Sequence, residues 1–271
     1  MAVRERRVSN LDDGEFRVYL EDVDLQRGQR TIFQGLTCGF PRGGISVVLG
    51  GSGVGKSTLL RLIGGLVRPN AGRVFVAGQD ITRQSESELF RTREYLGMLF
   101  QGGALLDSLT VFDNVALPLR EHTHLSEADI AGEVGRRLEA VGLSDVDDLL
   151  PGKLSGGMSR RAALARAIVT DPEIVLVDEP FSGLDPVNLR RIENLLVDLN
   201  RRLGITLVVT SHHIASTARM ADQVVFLVDA QALSGSLPEL LEAGDPRLMK
   251  FMAAERDADT QVAAIAPESD A

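Results

Sequence analysis

The chain has 271 residues, 44% hydrophobic and 25% charged, which suits one large folded domain or one domain with a small appendage. A formal charge of −9 excludes a general nucleic-acid coat, because most of the surface would repel a phosphate backbone. The single cysteine, Cys38, excludes an intramolecular disulfide and suits a reducing compartment, and no apolar run approaches the ~20 residues of a membrane-spanning helix.

Residues 1–7 are charged and lead into Ser, Asn and Asp, so they do not read as a signal peptide. Residues 16–20, 31–39 and 45–49 are short β-rich runs punctuated by turn signals at Gly28 and at Pro41-Arg42-Gly43-Gly44. The last run, Ile45-Ser46-Val47-Val48-Leu49, reads as a buried strand. It feeds directly into Gly50-Gly51-Ser52-Gly53-Val54-Gly55-Lys56-Ser57, which fits G-x-x-x-x-G-K-[ST]. Thr58-Leu59-Leu60-Arg61-Leu62-Ile63 then reads as a helix starting at the glycines. Such a loop curls so that successive N–H groups face one anion, and the helix end adds roughly half a positive charge there. Lys56 is expected to reach the β- and γ-phosphates and the Ser57 hydroxyl to ligate Mg²⁺.

Residues 73–76 read as a strand followed by a hairpin turn over 77–80, continuing what we expect to be a mainly antiparallel layer beside the phosphate-binding core. Residues 85–95 read as helix and Gly97-Met98-Leu99-Phe100 as a strand ending at Gln101. From there to about Arg166 the period is mostly helical, with Pro118 and Pro151 as breaks, which predicts a helical lobe inserted into the core. Within it a helix begins at Ser155, a natural N-cap. Gly156 and Gly157 leave its first N–H groups open, which fits either an ordinary capped helix or a second anion contact.

Ile174-Val175-Leu176-Val177 runs into Asp178-Glu179, a buried parallel strand with two acids at its C-terminal edge, where α/β folds bind ligands. Either these acids sit in a solvated turn, or Asp178 belongs to a Mg²⁺ shell and Glu179 accepts a proton from an attacking water. Asp185-Pro186 starts a helix with an apolar stripe at Ile192, Leu195, Leu196, Leu199 and Leu203, stopped by Gly204. A strand over 205–210 ends at Ser211-His212-His213, and a strand over 224–228 is expected to close the core. Beyond Asp245 we expect a short helix over 246–254 and then a disordered Ala- and acid-rich end.

Taken in order, the Gly50–Ser57 loop, Gln101, Leu154-Ser155-Gly156-Gly157, Asp178-Glu179, Ser182-Gly183-Leu184-Asp185 and His212 resemble the nucleotide-binding subunits of ABC transporters over roughly residues 14–253. Met98 to Leu105, Val111 to Val115, Pro118 to Thr123 and Ser155 to Ala167 are most similar to the MlaF-type ATPases of lipid transporters that work with MCE proteins. Met158, where most ABC proteins have Gln, points to the same branch.

The resemblance implies an α/β P-loop ATPase core over residues 14–244, with an antiparallel β layer and a helical subdomain over about 102–166, then a C-terminal piece over 245–271. It also implies an enzyme that hydrolyses ATP, with Mg²⁺, in a site shared by two copies. Lys56, Ser57 and Thr58 would hold the triphosphate of one copy while Ser155 and Gly157 of the other approach the γ-phosphate. Gln101 would complete the Mg²⁺ and water site and sense the membrane partner, Glu179 would be the general base, and His212 would contact the γ-phosphate. Asp185 would sit at the dimer seam. No aromatic residue neighbours Arg27, so its guanidinium plane is the expected surface for the adenine.

The partners implied are a second copy, an MlaE-like integral-membrane permease, and MCE-domain and STAS-domain proteins, with no nucleic acid. The expected place is cytoplasmic, on the inner face of the cell membrane through the permease, powering movement of phospholipid or other lipid. An ABC ATPase with an amino-acid, metal or drug cargo is the alternative. A soluble clamp on DNA or ribosomes ranks last, because there is one cassette and no heptad run.

Overall fold

A computed structural model describes the backbone of residues 15–265 and the side chains as far as residue 255. Its centre is a six-stranded sheet in the order β10-β9-β3-β8-β7-β6. The strands β3 (Ile45–Leu49), β6 (Leu96–Leu99), β7 (Ile174–Asp178), β8 (Thr206–Ser211) and β9 (Gln223–Val228) run parallel, and β10 (Gln231–Gly235) pairs antiparallel with β9. Every residue of β3, β7 and β8 is buried, as expected of parallel strands covered on both faces.

Alternation along these strands divides the core in two. Val48, Ile174, Leu176, Val208 and Val225 share a cluster with the first helix, α1 (Lys56–Ile63), Leu89 and a second sheet; Val47, Leu49, Val175, Val177 and Val209 face the later helices. The second sheet, ordered β2-β1-β4-β5, is the antiparallel layer, built from β1 (Phe16–Arg27), β2 (Arg30–Pro41), β4 (Ala71–Val76) and β5 (Gln79–Asp80). β1 and β2 are longer than the sequence runs suggest. Asp22, at φ 47°, takes up a bulge between Leu20 and Val23, so pairing resumes beyond a residue that alternation alone would have ended on.

The helical lobe contains α3 (Val111–His122), α4 (Glu127–Ala140) and α5 (Gly156–Ile168), after the short α2 (Glu86–Arg93). Thr110, Ser126 and Ser155 cap the three lobe helices, each accepting a backbone N–H bond from three residues on. Their buried faces meet through Val115, Ile130, Val134, Leu138 and Leu164. Pro118 does not break the chain here but lies inside α3. A proline removes one i→i−4 bond, and burial of Val115 and Leu119 on either side holds the helix through it.

After α6 (Pro186–Leu203) and α7 (Ile214–Met220) come two elements that periodicity does not announce, the edge strand β10 and α8 (Leu237–Ala243). The final helix, α9, spans Pro246–Ile265. The end expected to be disordered is therefore helical as far as Ile265, anchored by Leu248 and Met252 in the core and by Phe251, whose ring lies 5.3 Å from that of Phe226. Residues 266–271 lie outside the described residues. Among the described residues no helix is long and apolar enough to cross a membrane.

Candidate functional site

The strand β3 delivers the chain to a loop only glycine can make. Gly50 has φ 152°, and a Cβ there would lie 2.8 Å from the Leu227 carbonyl oxygen. Gly55, at φ 116°, caps α1, and a Cβ there would press to 3.0 Å on Ile32 and Phe33. The loop thus wraps back over the start of α1. Lys56, 8% exposed, donates from Nζ to Gly50 O at 2.8 Å and Gly51 O at 3.3 Å, and pairs with Glu179 Oε1 at 3.1 Å.

The acids follow from the end of β7. Asp178 is buried and its Oδ1 accepts from Ser57 Oγ at 3.0 Å and Thr210 Oγ1 at 2.7 Å. Ser57 and Asp178 together offer a hydroxyl and a carboxylate, hard oxygen donors that fit Mg²⁺. Glu179 turns out of the strand at φ 46°, its N–H donating to Thr210 Oγ1 at 2.9 Å. Its Oε2 lies 2.9 Å from His212 Nδ1.

Burial pushes the Glu179 carboxyl up, but the His212 hydrogen bond and the Lys56 charge outweigh it and hold it below its ordinary value. His212 moves the opposite way: its bond to Glu179 raises it, partly offset by burial, with the Glu179 and Glu255 charges adding to the rise. Of the two adjacent histidines it is His212 that meets Glu179. His213 stacks its ring 4.4 Å from that of His212 and edge-on to Phe181.

Lys56, Ser57, Glu179 and His212 wall a cleft of about 510 Å³, which Ser52, Gly53, Thr58, Gln101 and Ser182 also line; Asp178 sits behind Ser57. Gln101 stands exposed just beyond β6. The loop after it is pinned by Arg166 of α5, which donates to Gly103 O at 3.0 Å and Ala104 O at 2.9 Å, and by buried Asn114, which bonds Leu106 and Leu109. Three further residues reach the site from distant sequence. Thr210 is one of three buried polar residues in β8, with Thr206 and Ser211 at its ends. Arg30, which donates to Gly53 O at 2.6 Å, and Glu255, on the cleft wall, carry no local signature.

Of the predicted contributors, Gly50, Val54 and Asp178 lie just behind the cleft wall, and Arg27, Ser155, Gly156, Gly157 and Asp185 do not line the cleft either. Arg27 is exposed at the end of β1. Ser155 and Asp185 are exposed N-caps, Ser155 Oγ accepting from Met158 N at 3.3 Å and Asp185 Oδ1 from Val187 N and Asn188 N at 3.0 Å. The helix start at Ser155 is thus a second, separate set of outward N–H donors on the same chain.

The ABC transporter family profile matches residues 33–182. Over 241 residues, 89% of this chain and 91% of the relative, the chain is 43% identical to the intermembrane phospholipid transport system ATP-binding protein MlaF of Haemophilus influenzae. The MlaF protein of Escherichia coli K12 is also 43% identical, over 92% of this chain and 90% of its own. The probable ribonucleotide transport ATP-binding protein mkl of Mycobacterium leprae is 39% identical, over 84% of this chain and 66% of its own.

Among solved structures, cbiO1 of Clostridium perfringens, part of the ABC transporter complex cbiONQ, superposes with a TM-score of 0.77 at 27% identity, covering 88% of this chain and 99% of that one. A dimeric ATP-binding cassette in a post-hydrolysis state, bound to ADP and Pi, superposes at 0.74 with 29% identity, over 81% and 98%. The family match over more than half of the chain, with relatives 43% identical along about nine-tenths of both chains, makes this protein an ATP-hydrolysing cassette of the ABC transporter family.

Proposed function

We propose that two copies of this chain close on ATP and drive a membrane permease that moves phospholipid between membranes. The observation that carries the cargo is the 43% identity, along about nine-tenths of both chains, to proteins named for intermembrane phospholipid transport. The more distant mycobacterial relatives, named for ribonucleotide transport, favour a second reading in which the cargo is a nucleotide. An MlaE-like permease, with MCE-domain and STAS-domain proteins, is the partner set that fits the first reading, and it would hold the chain at the inner face of the membrane.

In this reading the loop N–H groups and the start of α1 hold the phosphates, with Thr58 beside them. Lys56, folded back on the Gly50 and Gly51 carbonyls, turns to the β- and γ-phosphates when they arrive. Mg²⁺, held by Ser57, Asp178 and Gln101, would supply charge neutralisation on the phosphate oxygens. Glu179 is ionised and half-buried on the cleft wall, so it is placed to take a proton from the attacking water. His212 steadies that carboxylate and reaches the γ-phosphate side of the cleft. Ser155, Gly156 and Gly157 of the second copy face the same phosphate from across the seam, with Asp185 beside them, and Arg27 offers its plane to the base.

The test is reconstitution. The chain is co-purified with its cognate permease, placed in liposomes, and supplied with labelled phospholipid on one side. ATP-dependent transfer that disappears with Lys56→Ala supports the phospholipid reading. ATP turnover with no lipid transfer, but with nucleotide uptake, overturns it in favour of the second reading.

A further inference from the structure

The C-terminal helix reaches the nucleotide cleft, and its carboxylate has the wrong sign for a phosphate ligand. Leu248, Met252 and Glu255 fall at i, i+4 and i+7, so they share one face of α9. Leu248 and Met252 are 0% and 6% exposed in the core. The next position along that stripe is Glu255, half-buried, lining the cleft with Lys56, Gln101, Glu179 and His212. The stripe thus leaves the core and enters the phosphate site as a carboxylate.

The cleft's cations are committed elsewhere: Lys56 pairs with Glu179 and His212 bonds the same carboxylate. Among the described residues none forms an ion pair with Glu255. Its charge is close enough to His212 to help raise it. The groups it joins, Lys56, Gln101, Glu179 and His212, are those at which the terminal phosphate would sit, so a third acid there opposes the most highly charged end of the nucleotide.

We propose that Glu255 is a specificity-determining residue of this nucleotide site, set against the γ-phosphate by α9, so that it weakens the triphosphate selectively and leaves the diphosphate nearly untouched. A base-line affinity for ATP over ADP is thereby reduced, and full affinity requires α9 to draw Glu255 aside. The inference rests on the assignment of the cleft as the ATP site.

The experiment measures equilibrium binding of Mg²⁺ with AMP-PNP and with ADP to the dilute full-length chain. The variants are Glu255→Gln, Glu255→Asp and a chain ending at Ala254, which keeps Leu248, Phe251 and Met252. The expected result is about threefold to tenfold tighter AMP-PNP for Glu255→Gln and for the shortened chain, with ADP changed less than about twofold. Glu255→Asp keeps the charge and should stay near the unaltered protein. Unchanged or weaker AMP-PNP binding in Glu255→Gln, or equal tightening of AMP-PNP and ADP, overturns the inference. Lys56→Ala, measured alongside, separates the two readings. Loss of both nucleotides there upholds the site whatever Glu255 does, and retention of both refutes the site itself.

Discussion

At Glu179 the backbone takes a left-handed φ of 46°, a conformation that costs a residue with a side chain about 1 kcal/mol or more. The turn lifts the carboxylate off the end of β7 and sets it between Lys56 and His212, 3.1 and 2.9 Å away. Replacing it by Gln keeps the shape but removes the proton acceptor and frees Lys56 from its ion pair. Glu179→Gln is therefore expected to bind ATP at least as well as the unaltered chain and to hydrolyse it about 10²-fold more slowly or worse, read as phosphate release under saturating ATP. Turnover close to the unaltered rate would move the base elsewhere. Residues 50–57 and Asp178-Glu179 were legible because one local spacing carries each. His212 was the expected one of the two histidines, being next to Ser211, and the fold adds the contact with Glu179 that separates it from His213. Arg30 and Glu255 were invisible: their chemistry depends on where β2 and α9 end in space.

Between elements, β6 and α5 approach closely at Gly97, where a Cβ would lie 1.9 Å from the Ala167 carbonyl oxygen of α5. That approach lets β6 run against α5 and present Gln101 at the cleft. Gly97→Ala must push strand and helix apart and is expected to cost about 3 kcal/mol. Gly135 gives the opposite sign: it is exposed in the interior of α4 with open space around its Cα. Gly135→Ala is expected to stabilise by about 0.5–1 kcal/mol. Paired urea titrations check both; equal midpoints for the two variants would show that the contact at Gly97 yields freely. The wholly buried strands and most of the α6 stripe were readable because burial there has a clean period: Ile192, Leu196 and Leu199 are buried and Leu195 packs against them, while Leu203, expected in the same stripe, is exposed at the helix end. The edge strand β10 has too little apolar content to show. Helix α8 did carry a signal, the Ser236–Glu239 capping box with Pro238 in its first turn. The second half of α9 opens on the charged run Glu255-Arg256-Asp257-Ala258-Asp259, which is why composition marked it as unstructured.

On the scale of the whole molecule, one glycine-rich helix start, at Gly55, lies inside the cleft and another, at Ser155, lies outside it. In the proposed dimer the first would hold one side of the phosphates. The second would reach the same phosphate only from across the site, brought there by a second copy; the similar cassette with ADP and Pi is itself dimeric. The prediction separates a shared site from a self-contained one. Lys56→Ala and Ser155→Arg are made in separate chains, each also carrying Glu179→Gln to block turnover. Either homodimer then has two defective sites. In a mixed dimer with sharing across the seam, one site collects both defects and the other has neither. If each chain used its own Ser155, each site of the mixed dimer would carry one defect. Mixing the two variants and counting trapped ATP should give about one per mixed dimer. None, with mixed dimers confirmed by a tag on each chain, would mean that the helix start at Ser155 serves its own chain or none.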